Sequence, residues 1–148
     1  MIIEIVENWR KVIGLPVLTE PNLPGKDRLA LCKRLIEEET GELFTEIDDG
    51  NLAAIAEEGA DVFVVLVQLF NELGLDLQKA VKAKTKANMS KVCATKKIAE
   101  QSVKYWIEEK GIQCEYEQLP SEFYRIVDMG GKVLKSITYQ KAKPTDFI

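Results

Sequence analysis

Histidine is absent from this 148-residue chain, and that zero excludes more chemistry than any other count. Ser-His-Asp and Cys-His catalysis are ruled out in their usual forms. So are di-iron bundles built on Glu-x-x-His motifs and the common histidine-ligated zinc hydrolase sites. Cysteine is scarce. Cys32, Cys93 and Cys114 are odd in number, widely spaced and without a CxxC pair, which predicts reduced thiols and no disulfide framework. No apolar run approaches the ~20 residues a transmembrane helix needs, so no membrane partner is expected. The opening MIIEIVENWRK carries glutamates where a signal peptide needs a basic start, and a cytoplasmic protein is the expectation. With 20 basic against 24 acidic residues, the formal net charge of −4 does not favour nucleic acid as a partner. Hydrolytic chemistry in such a chain has to run on carboxylates, lysines, hydroxyls or oxygen-ligated metals.

What is present is helical periodicity. Ile2, Ile5, Val6, Trp9, Val12 and Ile13 recur at the three-four spacing of an amphipathic helix, which Gly14 and Pro16 stop. The following GLPVLTEPNLPGKD holds three of the five prolines and reads as an extended loop, with Asp27 placed to cap a helix from about Arg28 to Ile47. DDGN at 48–51 is a turn that supplies the cap of the next helix. That helix, Leu52–Leu73, is apolar nearly all round and belongs at the centre of a bundle. A lysine-rich helical stretch opens at Asp76, either continues through or breaks near Lys91–Thr95, and runs on to Gly111. The tail FYRIVD-MGG-KVLKSITY places two strand-like runs about a Gly-Gly turn, a β-hairpin. The fold class expected is all-α: a single domain over 1–148, with a helical bundle over 1–112 and a hairpin and tail over 113–148.

The helix from Arg28 to Ile47 carries the sharpest chemical signal. At roughly 100° per residue, with Glu38 at zero, Glu42 falls near ~40° and Glu39 near ~100°, among Leu31, Leu35, Cys32 and Leu43. The three glutamates interrupt the apolar stripe, whereas Glu37 faces away. On the central helix Glu58 and Asp61 project from one face, next to an almost wholly apolar run. Glutamate pairs are usually solvated surface, but acids on two apolar helices at once point to a function. Burying unpaired carboxylates costs on the order of several kcal/mol, and crowding them raises their pKa values. Oxygen-only ligands without histidine or thiolate suit Mg²⁺ or Mn²⁺. Glu46, near ~80° on the same wheel, is an auxiliary group or a helix-end ion pair. Further along, Asn88 and Lys91 share a helix face with Lys84 one turn earlier, and such an amide and ammonium can hold phosphate oxygens.

The order LIEEETGEL, EEGADV, ANMSK resembles the MazG-like all-α nucleotide pyrophosphohydrolases, a superfamily that includes dimeric dUTPases and phosphoribosyl-ATP pyrophosphohydrolase. The resemblance spans roughly residues 28–92. Its EExxE pattern falls on Glu38, Glu39 and Glu42, its ExxD on Glu58 and Asp61, and its Asn-x-x-Lys on Asn88 and Lys91. It implies that the five acids bind magnesium, with Glu39 also the catalytic base, and that Asn88 and Lys91 hold phosphates. It further implies a nucleoside triphosphate split into monophosphate and pyrophosphate, by a homo-oligomer that is a dimer or a tetramer. Glu46 departs from the pattern, where a small residue is more usual. The tail resembles those of phage and bacterial members, which makes Lys135 and Tyr139 candidate substrate contacts. The alternatives are phosphoribosyl-ATP hydrolysis and a non-enzymatic bundle that binds a nucleotide or a partner.

Overall fold

A computed structural model describes residues 2–148 and is mostly helical, with five α-helices and one small sheet. The chain divides into two compact units, one ending at Leu77 and including Ile148, the other Gln78–Phe147. The first is built on α1 (Ile2–Val12), α2 (Lys26–Asp49) and α3 (Leu52–Leu73). Only Gly50 and Asn51 join α2 to α3, and so short a link makes the two helices antiparallel neighbours. Gly50 takes the left-handed φ of 70° that ends α2, and the Asn51 side chain accepts the Ala54 N–H at 3.4 Å to start α3. The turn sets the register. Glu42 and Glu58 lie level, eight residues either side of Gly50, and Glu39 and Asp61 lie level, eleven residues either side.

Helix α2 begins two residues before the expected Arg28. Its N-cap is Gly25, whose carbonyl accepts the Arg28 and Leu29 N–H groups, and no side chain caps it. Asp27, expected as the cap, sits within the first turn, where its charge faces the positive end of the helix dipole. The proline-rich loop crosses the C-terminal end of α3 and satisfies carbonyls that the helix leaves open: Leu18 N–H donates to Asn71 at 3.0 Å and Asn22 N–H to Leu73 at 2.9 Å. This crossing explains Gly74. Its φ is 62°, and a Cβ there would stand 1.9 Å from the Glu20 carbonyl oxygen.

Arg10 lies under the same loop, 1% exposed. Its guanidinium donates to the Pro16 carbonyl through Nε (3.1 Å) and Nη2 (2.9 Å), to Gln68 Oε1 (3.2 Å) and to Glu72 Oε1 (2.6 Å), and Arg28 also reaches Glu72. The apolar core of this unit is thin by comparison. Val6, Cys32, Val65 and Val67 are its buried hydrophobics, while Leu52 is 83% exposed and Phe44, Ile47, Ile5 and Trp9 also face outward.

The second unit holds α4 (Leu77–Met89) from Gln78 onward, α5 (Lys96–Lys110) and a three-stranded antiparallel sheet of β1 (Cys114–Gln118), β2 (Tyr124–Asp128) and β3 (Val133–Leu134) in the order β1-β2-β3. Cys93, Ala99, Cys114, Ile126 and Leu134 form its core, with Trp106 and Ile107 of α5 packed against it. The expected hairpin is present between β2 and β3, closed by Asp128 Oδ1, which accepts from Gly130 and Lys132 N–H at 2.9 Å each. Its second strand is cut short. Ser136 Oγ accepts the Thr138 N–H at 3.1 Å, a local bond that bends the chain out of the ladder. β1 was not among the expected strands. Lys91 lies beyond the end of α4, so it does not share a helix face with Asn88 as expected. At the helix end the backbone tightens to i→i−3 bonds, Ser90 N–H to the Ala87 carbonyl at 3.1 Å and Lys91 N–H to the Asn88 carbonyl at 3.0 Å, and the Ser90 hydroxyl also donates to the Ala87 carbonyl at 2.7 Å.

Candidate metal centre

The level pairs of the α2–α3 hairpin bring together carboxylates far apart in sequence. One oxygen each from Glu39, Glu58 and Asp61 lies within 4.8 Å of the others. Glu39 and Glu58 are half-buried and Asp61 is exposed. Glu42 adjoins this trio through Glu58, and Glu38 contributes its charge to Glu39; both are themselves exposed. Glu46 is half-buried one turn beyond Glu42, and among the described residues no ion pair holds it. Asn88 is exposed on α4 and Lys91 half-buried after it, both in the second unit.

The electrostatics follow from crowding. Burial raises the Glu39 pKa above its ordinary 4.5, and the charges of Asp61, Glu42 and Glu38 push it further. Burial likewise raises Glu58, with Glu42, Asp61 and Glu57 adding to the shift. No lysine or arginine contributes to either shift. One oxygen of Glu58, Oε2, is buried without any hydrogen-bond partner. An unpartnered buried carboxylate oxygen among like charges is costly in isolation. A hard divalent cation removes that cost, since it takes oxygen ligands at about 2.1 Å and opposite ligands then stand about 4.2 Å apart. The separations in the trio are within a small side-chain rotation of that, so these residues fit such an ion.

The other ionisable groups of this unit behave differently. Burial pushes Glu72 up, but hydrogen bonds from Arg28 and Arg10 outweigh it and hold the carboxyl below its ordinary value. Burial also raises the Cys32 thiol, which keeps it protonated and unreactive. The Arg10–Glu72–Arg28 group was not found in the sequence. An arginine on the apolar helix α1 and a glutamate closing the apolar run of α3 were its visible signs.

No helix among the described residues is long and apolar enough to cross a membrane. Among known proteins, the family model of the MazG nucleotide pyrophosphohydrolase domain matches residues 27–94, a little under half of the chain. The matched segment contains all five acids, Asn88 and Lys91, and it leaves out α1 and everything after Ala94. No curated protein matches the chain. Members of this family are typically dependent on a divalent metal, in keeping with the carboxylate trio. Residues 27–94, which hold the whole carboxylate face of the α2–α3 hairpin, are thus similar to the MazG-like nucleotide pyrophosphohydrolases.

Proposed function

We propose that the protein hydrolyses a nucleoside triphosphate to the monophosphate and pyrophosphate in the cytoplasm, with Mg²⁺ as its cofactor. The observation that carries this reading is the buried, unpartnered Glu58 Oε2 within a trio of carboxylates. Glu39, Glu58 and Asp61, with Glu38 and Glu42 beside them, would hold the metal, whose charge would neutralise phosphate oxygens and lower the pKa of a bound water. Glu39 orients the attacking water and accepts its proton as the bond to the α-phosphorus forms. Asn88 donates its amide and Lys91 its ammonium to the departing pyrophosphate. A panel of nucleotides with Mg²⁺, its products separated by chromatography, tests the proposal. Monophosphate with pyrophosphate is the expected result, and release of orthophosphate alone overturns it.

Lys91→Ala is expected to raise KM and lower kcat while leaving the Mg²⁺ affinity near that of the wild type, measured by titration calorimetry. Loss of metal binding in that variant would assign Lys91 a structural role instead.

The assembly proposed is a homodimer. Leu52, Phe44 and Ile47 cluster about the α2–α3 turn and are all exposed, as are Ile2, Ile5 and Trp9 on α1. Apolar surface of this extent on a short chain normally marks an interface. Light scattering at micromolar concentration should give twice the chain mass, and Phe44→Asp combined with Ile47→Asp should shift it toward the monomer. A clean wild-type monomer would remove the claim.

Metal should stabilise the fold by an amount that grows with pH. Glu39 and Glu58 have raised folded pKa values, so without metal the folded state keeps protons that the unfolded chain has lost. Their contribution to stability is present below 4.5 and is lost as pH rises through the raised values. Magnesium binds only the deprotonated folded site, adding about 2.7 kcal/mol at one hundred times its dissociation constant. Thermal melts at pH 5 and pH 8 should therefore show the larger Mg²⁺ shift at pH 8. Equal shifts would mean that the acids hold no metal.

A further inference from the structure

A cavity of about 590 Å³ lies entirely within the second unit, between one face of α4 and the tail segment from Gln140 to Asp146. Five lysines line it, three from α4 (Lys79, Lys82, Lys86) and two from the tail (Lys141, Lys143). Its only acid is Asp146, whose Oδ2 already accepts the Lys143 backbone N–H at 2.7 Å. Among the described residues none of Lys82, Lys86, Lys141 and Lys143 forms an ion pair, in a protein whose net charge is −4. The space exists because Ala83 and Ala87 leave that face of α4 without bulk. The opposite wall is fastened to the helix end: Gln140 N–H donates to Ser90 Oγ at 2.9 Å, and Ser90 Oγ to the Ala87 carbonyl at 2.7 Å.

We propose that this cavity is a binding site for a short polyphosphate chain, separate from the carboxylate cluster in every residue. Four exposed lysines without ion-pair partners line one concave site, and the positive potential they concentrate there favours an anion of comparable charge. The site offers ammonium groups and no guanidinium fork. Flexible point charges suit the tetrahedral oxygens of successive phosphates better than a planar carboxylate. Its volume is that of a small-molecule site. No aromatic side chain lines it, so there is no platform for a nucleobase. Recognition therefore rests on the phosphate chain alone, whether inorganic or attached to a nucleoside. Asn88 does not line the cavity. It lies roughly 120° to 160° around α4 from Lys82 and Lys86, so the phosphate role proposed for Asn88 and Lys91 is a different one.

Titration calorimetry on the full chain tests the site, with a chelator present to keep divalent metal from the acids. Sodium tripolyphosphate should bind one per chain at low ionic strength, more tightly than pyrophosphate, and orthophosphate weakest. ATP should match tripolyphosphate if the nucleoside is ignored, whereas markedly tighter ATP binding would overturn recognition by the chain alone. Lys82→Ala with Lys143→Ala should weaken tripolyphosphate roughly tenfold or more. Lys82→Arg with Lys143→Arg should retain most of it, and Glu39→Gln should leave it unchanged. Absence of binding to the wild type, or equal affinity in the double alanine variant, overturns the proposal. So does tighter binding of an oligothymidylate than of tripolyphosphate, which would mark an open nucleic-acid surface.

Discussion

Glu39→Gln is expected to lower turnover by about 10²–10⁴-fold and at the same time to raise the melting temperature of the metal-free protein. Both effects have one source. Glu39 sits half-buried among the charges of Asp61, Glu42 and Glu38, and glutamine keeps its shape while removing its part in that repulsion. An amide accepts no proton from water and is a poor ligand for a hard cation, so the proposed base is lost. Asp61→Asn should behave alike. Glu37→Gln is the control, since Glu37 is exposed on the far side of α2 and pairs with Lys33 at 3.5 Å. That pair contributes about 0.5 kcal/mol at most, and its removal should leave turnover untouched. Pyrophosphate release with Mg²⁺ and metal-free melts read both quantities. A Glu39→Gln protein with wild-type turnover would remove Glu39 from the chemistry, and one melting lower would mean the carboxylate is structurally partnered.

The carboxylate face was legible in the sequence because its information is local. Spacings of three and four place Glu38, Glu39 and Glu42 along one side of α2, and Glu58 and Asp61 along one side of α3. The bounds expected for α3, Leu52–Leu73, are those observed. The register between the helices is less visible, yet it follows from the two-residue turn and the equal distances of the acids from Gly50. β1 is missed for a different reason. Cys114-Glu115-Tyr116-Glu117 does alternate, but four residues between Gly111 and a proline-containing turn are a weak period-two signal beside the longer run of β2. The placement of Lys91 turns on the last turn of α4, where the backbone tightens to i→i−3 bonds one residue after Met89, a boundary that side-chain spacing does not mark. The basic cavity had a half-signal in the lysines of α4. Its other wall comes from a tail some 50 residues away, and helical spacing carries no trace of a contact at that separation.

Arg10→Ala is expected to cost about 3–5 kcal/mol of folding stability, a large share of the 5–15 kcal/mol typical of a domain. Arg10 is the most deeply placed charge of the first unit, and its donors are divided among the Pro16 carbonyl, Gln68 and Glu72. Truncation leaves a cavity and strips those acceptors of their partner. It also loosens α1 and the loop from α3, because Pro16 is held to Gln68 and Glu72 only through this guanidinium in the bonds described. The corresponding fall in Tm is roughly 10 °C for a chain of this size. Arg28→Ala removes the other partner of Glu72, but the Arg28 side chain is 41% exposed, so its loss should cost about 1 kcal/mol or less. The pH dependence separates this group from the carboxylate cluster. Glu72 has a lowered folded pKa, so its contribution is present above the ordinary value of 4.5 and is lost as pH falls through the lowered one. The slope is opposite in sign to that of Glu39 and Glu58, and it falls in a more acidic window. Melts of the wild type and of Arg10→Ala between pH 3 and pH 7 should therefore converge as the pH drops. A constant difference across that range would mean that Arg10 acts through packing alone and that its bond to Glu72 adds nothing to stability.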